Sequence, residues 1–215
     1  MSINDIVIIG AGGLGREVLF ELRELNLHNR NYNILGFIDD NKSEGSIIHG
    51  LPVLGSTNYL LNYKEDISAV ICVGNPQARH SIYKKVSKNT KIKFPNIIAD
   101  DFRCSDFVKM GKGNVVCFSC IATVDIEIGD FVILSNGTKI GHDSKVGNFV
   151  TLYPSVNVSG NVNVGDYSEL GVGASIIQNK SIGTGVVVGA GAVVINDIPK
   201  NCTAVGVPAR VIKEI

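Results

Sequence analysis

The chain has 215 residues, 45% of them hydrophobic, and its 20 basic residues are balanced by 20 acidic ones. That is enough apolar material for one large domain or two small ones, and the charge balance removes the electrostatic footprint that a nucleic-acid or anionic-membrane partner needs. No apolar run approaches the ~20 residues that span a bilayer, and the opening MSINDIVIIG lacks the basic start and small-residue cleavage site of a signal peptide, so the expectation is a soluble cytoplasmic protein with no nucleic-acid and no membrane partner.

Residues 1–98 alternate strand-like and helix-like segments, the pattern of a parallel α/β unit. DIVIIG is a short, continuously apolar run, which marks a strand buried on both faces. GAGGLGREVLFELRELNL comes next, with Leu14, Val18, Leu22 and Leu25 at helical spacing. Its start fits G-x-G-x-x-G through Gly10, Gly12 and Gly15, directly after a strand and opening a helix, with Gly13 and Leu14 inside the loop. Glycines there let backbone N–H groups approach a phosphate at a helix N-terminus. NILGFIDD reads as a second strand ended by Asp39 and Asp40, and SAVICVG as a later one. NPQARHSIYKKVSKN reads as a helix with Asn75 at its cap and Pro76 at its first position. This stretch is long enough for only one mononucleotide-binding half, whereas a dinucleotide needs two, which weighs against NAD.

The helical period disappears beyond residue ~110. Every sixth position from Ile128 carries Ile, Leu or Val without a break: Ile128, Leu134, Ile140, Val146, Leu152, Val158, Val164, Leu170, Ile176, Ile182, Val188 and Val194. A hexapeptide period means a parallel β-helix. Six residues make one short strand plus a corner, so three hexads close a triangular coil of 18 residues whose sixth positions stack inward as a dry core. Glycine after the inward residue (129, 141, 147, 165, 171, 183, 189) relieves the corner. The twelve hexads amount to about four coils, with Val116 and Ala122 keeping the register before them. Cys117 and Cys120 form a C-x-x-C, but neither a second soft pair for zinc nor a helix start for redox chemistry lies nearby, so small core residues and five reduced cysteines are expected.

One histidine, His142, interrupts this repeat, two positions after Ile140 at a corner where side chains project outward. One coil later stands Gly160, and coils stack about 4.8 Å apart. An unobstructed backbone N–H beside a base is what acyl transfer asks for, and Asp143 is placed to orient the ring and stabilise the imidazolium. An ordinary exposed histidine is the competing reading. His28, His49 and His80 fall in apparent loops or on a helix beside Arg79 and are read as solvated surface.

IGHDSKVGNFVTLYPSVNVSGNV and VGAGAVVINDIPKNCTAVGVPAR resemble the left-handed β-helix, hexapeptide-repeat acyltransferases. The preceding IIGAGGLGREV, GFIDD and VGNPQAR narrow the resemblance to a sugar-modifying branch with a small Rossmann-like N-terminal domain, which includes nucleotide 4-amino-sugar N-acetyltransferases and sialic acid O-acetyltransferase-like proteins. The resemblance implies a Rossmann-like half-domain over residues 1–98, a left-handed parallel β-helix over 99–198 and a tail over 199–215 near the CoA site. It implies acetyl-CoA as donor, no metal, direct transfer without an acyl-enzyme, and a homotrimer with sites between subunits. His142 becomes the base, Asp143 its acidic neighbour and Gly160 the backbone donor near the thioester carbonyl. Gly189 and Ala190 match the stretch that lines the pantetheine, with Lys200 and Arg210 (and Lys213) available for phosphates. The loop of Gly10, Gly12, Gly13, Leu14 and Gly15 holds the nucleotide-sugar acceptor, with Asp39 or Asp40 near its base or ribose and Asn75 and Arg79 at its rim. Two positions depart from the family pattern: many members have histidine where this chain has Leu14, and asparagine where it has Ser135, with Asn136 next to it. N-acetylation of a nucleotide-linked amino sugar in surface-glycan biosynthesis is the leading expectation. O-acetylation of a sugar, a non-catalytic nucleotide-sugar-binding trimer and an NAD enzyme are the rivals.

Overall fold

The computed structural model describes residues 4–28 and 32–214, so the first three residues of the opening stretch and the last residue of the tail lie outside the described residues. Contacts divide the chain into two units, Met1–Ile97 and Ile98–Ile215.

In the first unit, β1 (Asn4–Ile9), α1 (Gly13–Leu27), β2 (Tyr32–Ile38), β3 (Ile47–Ile48), β4 (Leu51–Gly55), α2 (Thr57–Leu61), β5 (Ile67–Ile71), α3 (Pro76–Val86) and β6 (Ile92–Lys93) occur in that order. They build one sheet, β3-β4-β2-β1-β5-β6, parallel throughout except for the β3–β4 hairpin. Ile6, Val7, Ile8 and Ile9 of the central β1 are wholly buried, as a run apolar on both faces requires. Because β2 and β5 flank β1 on opposite sides, the chain reverses its direction of travel there, and ligands of open α/β sheets sit outside the strand ends at such a reversal. Val18, Leu22 and Leu25 of α1 are buried, while Leu14 is only half-buried. Two elements carry no sequence signal. The hairpin turns through His49 and Gly50, at φ 48° and 83°, a two-residue turn of the kind that matches strand twist. The α2 helix is too short for a periodic signal, although Ser56 caps it by accepting from the Asn58 N–H.

The second unit is the expected left-handed parallel β-helix. Ile140 pairs with Val158, Val158 with Ile176 and Ile176 with Val194, each eighteen residues on. All twelve inward residues are at most 4% exposed. The stack is longer than the hexad pattern predicts: one face carries six strands, beginning at Arg103–Cys104 and Ile121–Ala122. The rung at Ala122 keeps the register that the sequence shows, and the one before it goes unrecognised because Cys104, a small side chain, stands at its sixth position. Cys117 and Cys120 are buried in the solenoid as small residues. After the last full rung, Cys202–Val205 continues the stack on Val187–Val188, and Arg210–Glu214 folds back antiparallel.

The corners obey a rule of their own. Asp125, Phe131, Asp143, Phe149, Ser155, Asn161, Tyr167 and Asn179 all adopt left-handed backbone, with φ between 53° and 61°. Asp and Asn tolerate that conformation best. The aromatic members offset its cost by stacking, with ring centroids 5.1 Å apart for Phe131–Phe149 and 5.5 Å for Phe149–Tyr167. Beside them the carboxylate of Asp130 accepts from Lys112 N–H, the amide oxygen of Asn148 from Asp130 N–H, and the carboxylate of Asp166 from Asn148 N–H, tying rung to rung.

Candidate active site

Gly141 lets the chain turn into the corner that carries His142: a Cβ there would lie 2.7 Å from the Gly160 nitrogen of the next coil. The His142 side chain is 64% exposed, and its Nδ1 lies 2.7 Å from Oδ2 of Asp143. A Cβ on Gly160 would fall 2.5 Å from both Cε1 and Nε2 of His142, so the ring lies directly against the Gly160 backbone. The Gly160 carbonyl is engaged by the Asn179 N–H, and the His142 carbonyl by the Asn161 N–H. An imidazole with one nitrogen on a carboxylate thus presents its other nitrogen beside a bare peptide unit, the placement that coil spacing predicts.

Asp143 has two reasons to be acidic. Its corner position is left-handed, and the equivalent positions one coil away hold Asp125 and Asn161, so the residue type is what the corner favours. The meeting of carboxylate and imidazole happens on this rung because His142 stands beside it. Gly189 and Ala190 lie at a different corner, the one after Val188, with Gly189 half-buried and Ala190 exposed. Lys200 and Arg210 are exposed beyond the last full rung, and Arg210 Nη1 donates to the Ala209 carbonyl. A groove of about 850 Å³ runs along the face after the His142 corner, lined by Lys145, Asn163 and the corner glycines 129, 147, 165 and 183.

In the first unit the three fingerprint glycines have separable roles. Gly10, at φ 101°, could not carry a Cβ, which would meet the Cys72 carbonyl at 2.7 Å, and one on Gly15 would run into the Gly10 carbonyl. A Cβ on Gly12 or Gly13 would meet only open space, and both are exposed, which leaves that part of the loop accessible to a ligand. The α1 N-terminus has neither a side-chain cap nor an acidic residue in its first turn, so its N–H dipoles favour an anion. Asp39 braces the loop, accepting from the Ala11 N–H at 2.8 Å and from the Asn41 N–H.

Three of the expected acceptor contacts are otherwise occupied. The Asp40 carboxylate accepts from the N–H and hydroxyl of Thr57 and so anchors α2. The Asn75 side chain caps α3 by accepting from the Ala78 N–H at 2.9 Å. Arg79 is not at a rim: it is 1% exposed, and its Nη1 donates to the carbonyls of Val73 (2.6 Å) and Gly74 (2.8 Å). Helical spacing carries the signal for its burial, since Arg79 shares the inner face of α3 with the buried Pro76 and Val86. Its charge points the other way, toward solvent or a ligand. Beside it, Cys72 is buried, and its thiol pKa is pushed well up by that burial, then by the negative Glu21, with Arg79 opposing. Another cavity of the unit, about 590 Å³, lies along α2 and is lined by Glu44, Ser56, Asn58, Tyr59 and Tyr63 among others.

Residues 5–86 match the family model of the PglD N-terminal domain. No curated protein matches the sequence. Among solved structures, the acetyltransferase domain of PglB from Neisseria gonorrhoeae FA1090, in complex with acetyl coenzyme A, is 30% identical, with 98% of this chain and 100% of that chain covered at a TM-score of 0.89. Perosamine N-acetyltransferase from Caulobacter crescentus, solved with CoA and GDP-perosamine, is 28% identical over 99% of both chains at 0.89. WeeI from Acinetobacter baumannii AYE is 28% identical over 98% and 100% at 0.88. Full-length agreement of this kind, over a fold whose one repeat-borne histidine meets a bare glycine, makes the chain a member of the left-handed β-helix sugar N-acetyltransferases with a PglD-type N-terminal domain, an acyltransferase that uses acetyl-CoA.

Proposed function

We propose that the protein acetylates the amine of an amino sugar carried on a nucleoside diphosphate, with His142 as general base. The neutral amine attacks the thioester carbonyl of acetyl-CoA, and His142 Nε2 takes the proton the nitrogen sheds. The Gly160 N–H donates to the oxygen on which negative charge develops. Asp143, on Nδ1, holds the ring and stabilises the imidazolium without itself becoming protonated. Collapse of the tetrahedral adduct breaks the carbon–sulfur bond, and the imidazolium returns its proton to the departing thiolate. The observation that carries this reading is the contact of His142 with Gly160 on one side and Asp143 on the other.

The acceptor is recognised by the first unit, at Gly12, Gly13 and the open α1 N-terminus, with Gly10 and Gly15 shaping the loop and Leu14 and Asp39 beside it. Support comes from the Caulobacter relative, whose structure holds GDP-perosamine. Leu14 brings an apolar side chain to that loop, which points to a sugar different from one bound through histidine. Gly189 and Ala190 line the pantetheine, Lys200 and Arg210 meet CoA phosphates, and the active assembly is a cytoplasmic homotrimer serving surface-glycan biosynthesis. No helix among the described residues is long and apolar enough to cross a membrane.

Purified protein given acetyl-CoA and a nucleotide amino sugar releases free CoA thiol, and His142→Ala lowers that rate by about 10²-fold or more. A variant that keeps above a tenth of the rate removes the general-base role. Mild alkali applied to the product separates the amide, which survives, from the ester that O-acetylation would leave.

A further inference from the structure

The first unit holds a buried charge that the chemistry above does not use, Arg79 on α3, 1% exposed. Its guanidinium holds the loop that follows β5, which starts at the buried Cys72. Cys72 in turn touches the glycine loop. Its N–H donates to the Ile9 carbonyl at 2.7 Å, and a Cβ on Gly10 would lie 2.7 Å from the Cys72 carbonyl and 3.3 Å from Cγ2 of Val73. The loop after β5 and the loop after β1 therefore abut at the topological reversal of the sheet.

Burying a guanidinium is costly unless its donors are used. Here one nitrogen serves two successive loop carbonyls, those of Val73 and Gly74, through charge-assisted bonds stronger than neutral ones. Each trans peptide is planar, its N–H antiparallel to its C=O. With those carbonyls drawn toward Arg79, the N–H vectors of Gly74 and Asn75 run the opposite way. We infer that Arg79 is a positioning residue for the acceptor, setting the backbone of the Val73–Asn75 loop that forms one wall of the crevice facing Gly12 and Gly13. This inference rests on the reading that the glycine loop holds the nucleotide sugar.

The test is steady-state kinetics in both substrates, with thermal melting alongside, on Arg79→Lys, Arg79→Ala and Gly12→Asp. Lysine offers one point charge where the guanidinium forks, so Arg79→Lys raises the acceptor KM by about tenfold and leaves the acetyl-CoA KM within about twofold. In Arg79→Ala, added guanidinium ion restores the acceptor KM. Should Arg79→Ala fail to fold, Arg79→Lys, which keeps the buried charge, supplies the answer. A lowered melting temperature with the acceptor KM unchanged makes Arg79 merely structural and overturns the inference. If Gly12→Asp raises the acceptor KM while the Arg79 variants do not, only the positioning role falls. If Gly12→Asp leaves it unchanged, the acceptor-site reading falls and this inference with it.

Discussion

His142 and Gly160 stand one coil apart, and the absent side chain at 160 is what gives the ring its place. Gly160 does not have left-handed backbone, so alanine is allowed there by its dihedrals; the added methyl instead meets the imidazole at 2.5 Å. The ring is exposed and can swing away. Gly160→Ala therefore leaves the melting temperature nearly unchanged while kcat falls about 10²-fold, the usual cost of a small misplacement at a reacting centre. A fully active Gly160→Ala enzyme would mean that the contact is incidental. At this scale the sequence disclosed the pair through a spacing of eighteen, because a solenoid converts sequence distance directly into vertical neighbourhood. It disclosed Asn75 as a helix cap, which the structure bears out, but not that Asp40 anchors a helix. Asn and Asp serve ligands and helix starts with the same atoms, and only coordinates tell which partner arrived first.

Elements differ in how much a single residue matters to them. In the solenoid, Leu152 is wholly buried between rungs, and Leu152→Ala leaves a void among stacked neighbours that cannot collapse toward it. Its cost is about 2–5 kcal/mol, read as a lowered denaturation midpoint. Asn75→Ala removes one cap from an eleven-residue helix and costs about 1 kcal/mol. Should Asn75→Ala instead abolish acceptor binding with stability intact, the side chain serves the ligand, as the family resemblance implies. The strands of the prism were legible because a period of six repeats without interruption for twelve hexads. The hairpin at His49–Gly50 and the five-residue α2 were not, since neither is long enough to establish a period.

The whole molecule responds to pH and ligand through groups that no single element owns. Burial raises the thiols of Cys72 and Cys202 above 9.0 and the phenol of Tyr63 above 10.0, with Glu21, Glu214 and Tyr59 the next contributors in turn. Each group binds its proton more tightly folded than unfolded, so stability is intact below pH 9 and falls as pH climbs beyond it. Melting temperatures measured between pH 8 and 11 should decline, and Cys72→Ala should flatten the decline; a flat wild-type profile contradicts the assignment. Acetyl-CoA at a hundred times its Kd stabilises the protein by about 2.7 kcal/mol, visible as a raised melting temperature. The sequence by itself determined the prism, its register and the rung on which an imidazole meets a glycine, because a strict repeat leaves one way to bury its aliphatic column. The tertiary structure alone decided that Asp40 is claimed by Thr57, seventeen residues on. Such assignments depend on which donors and acceptors are left without partners once the chain has closed, and no periodicity records that.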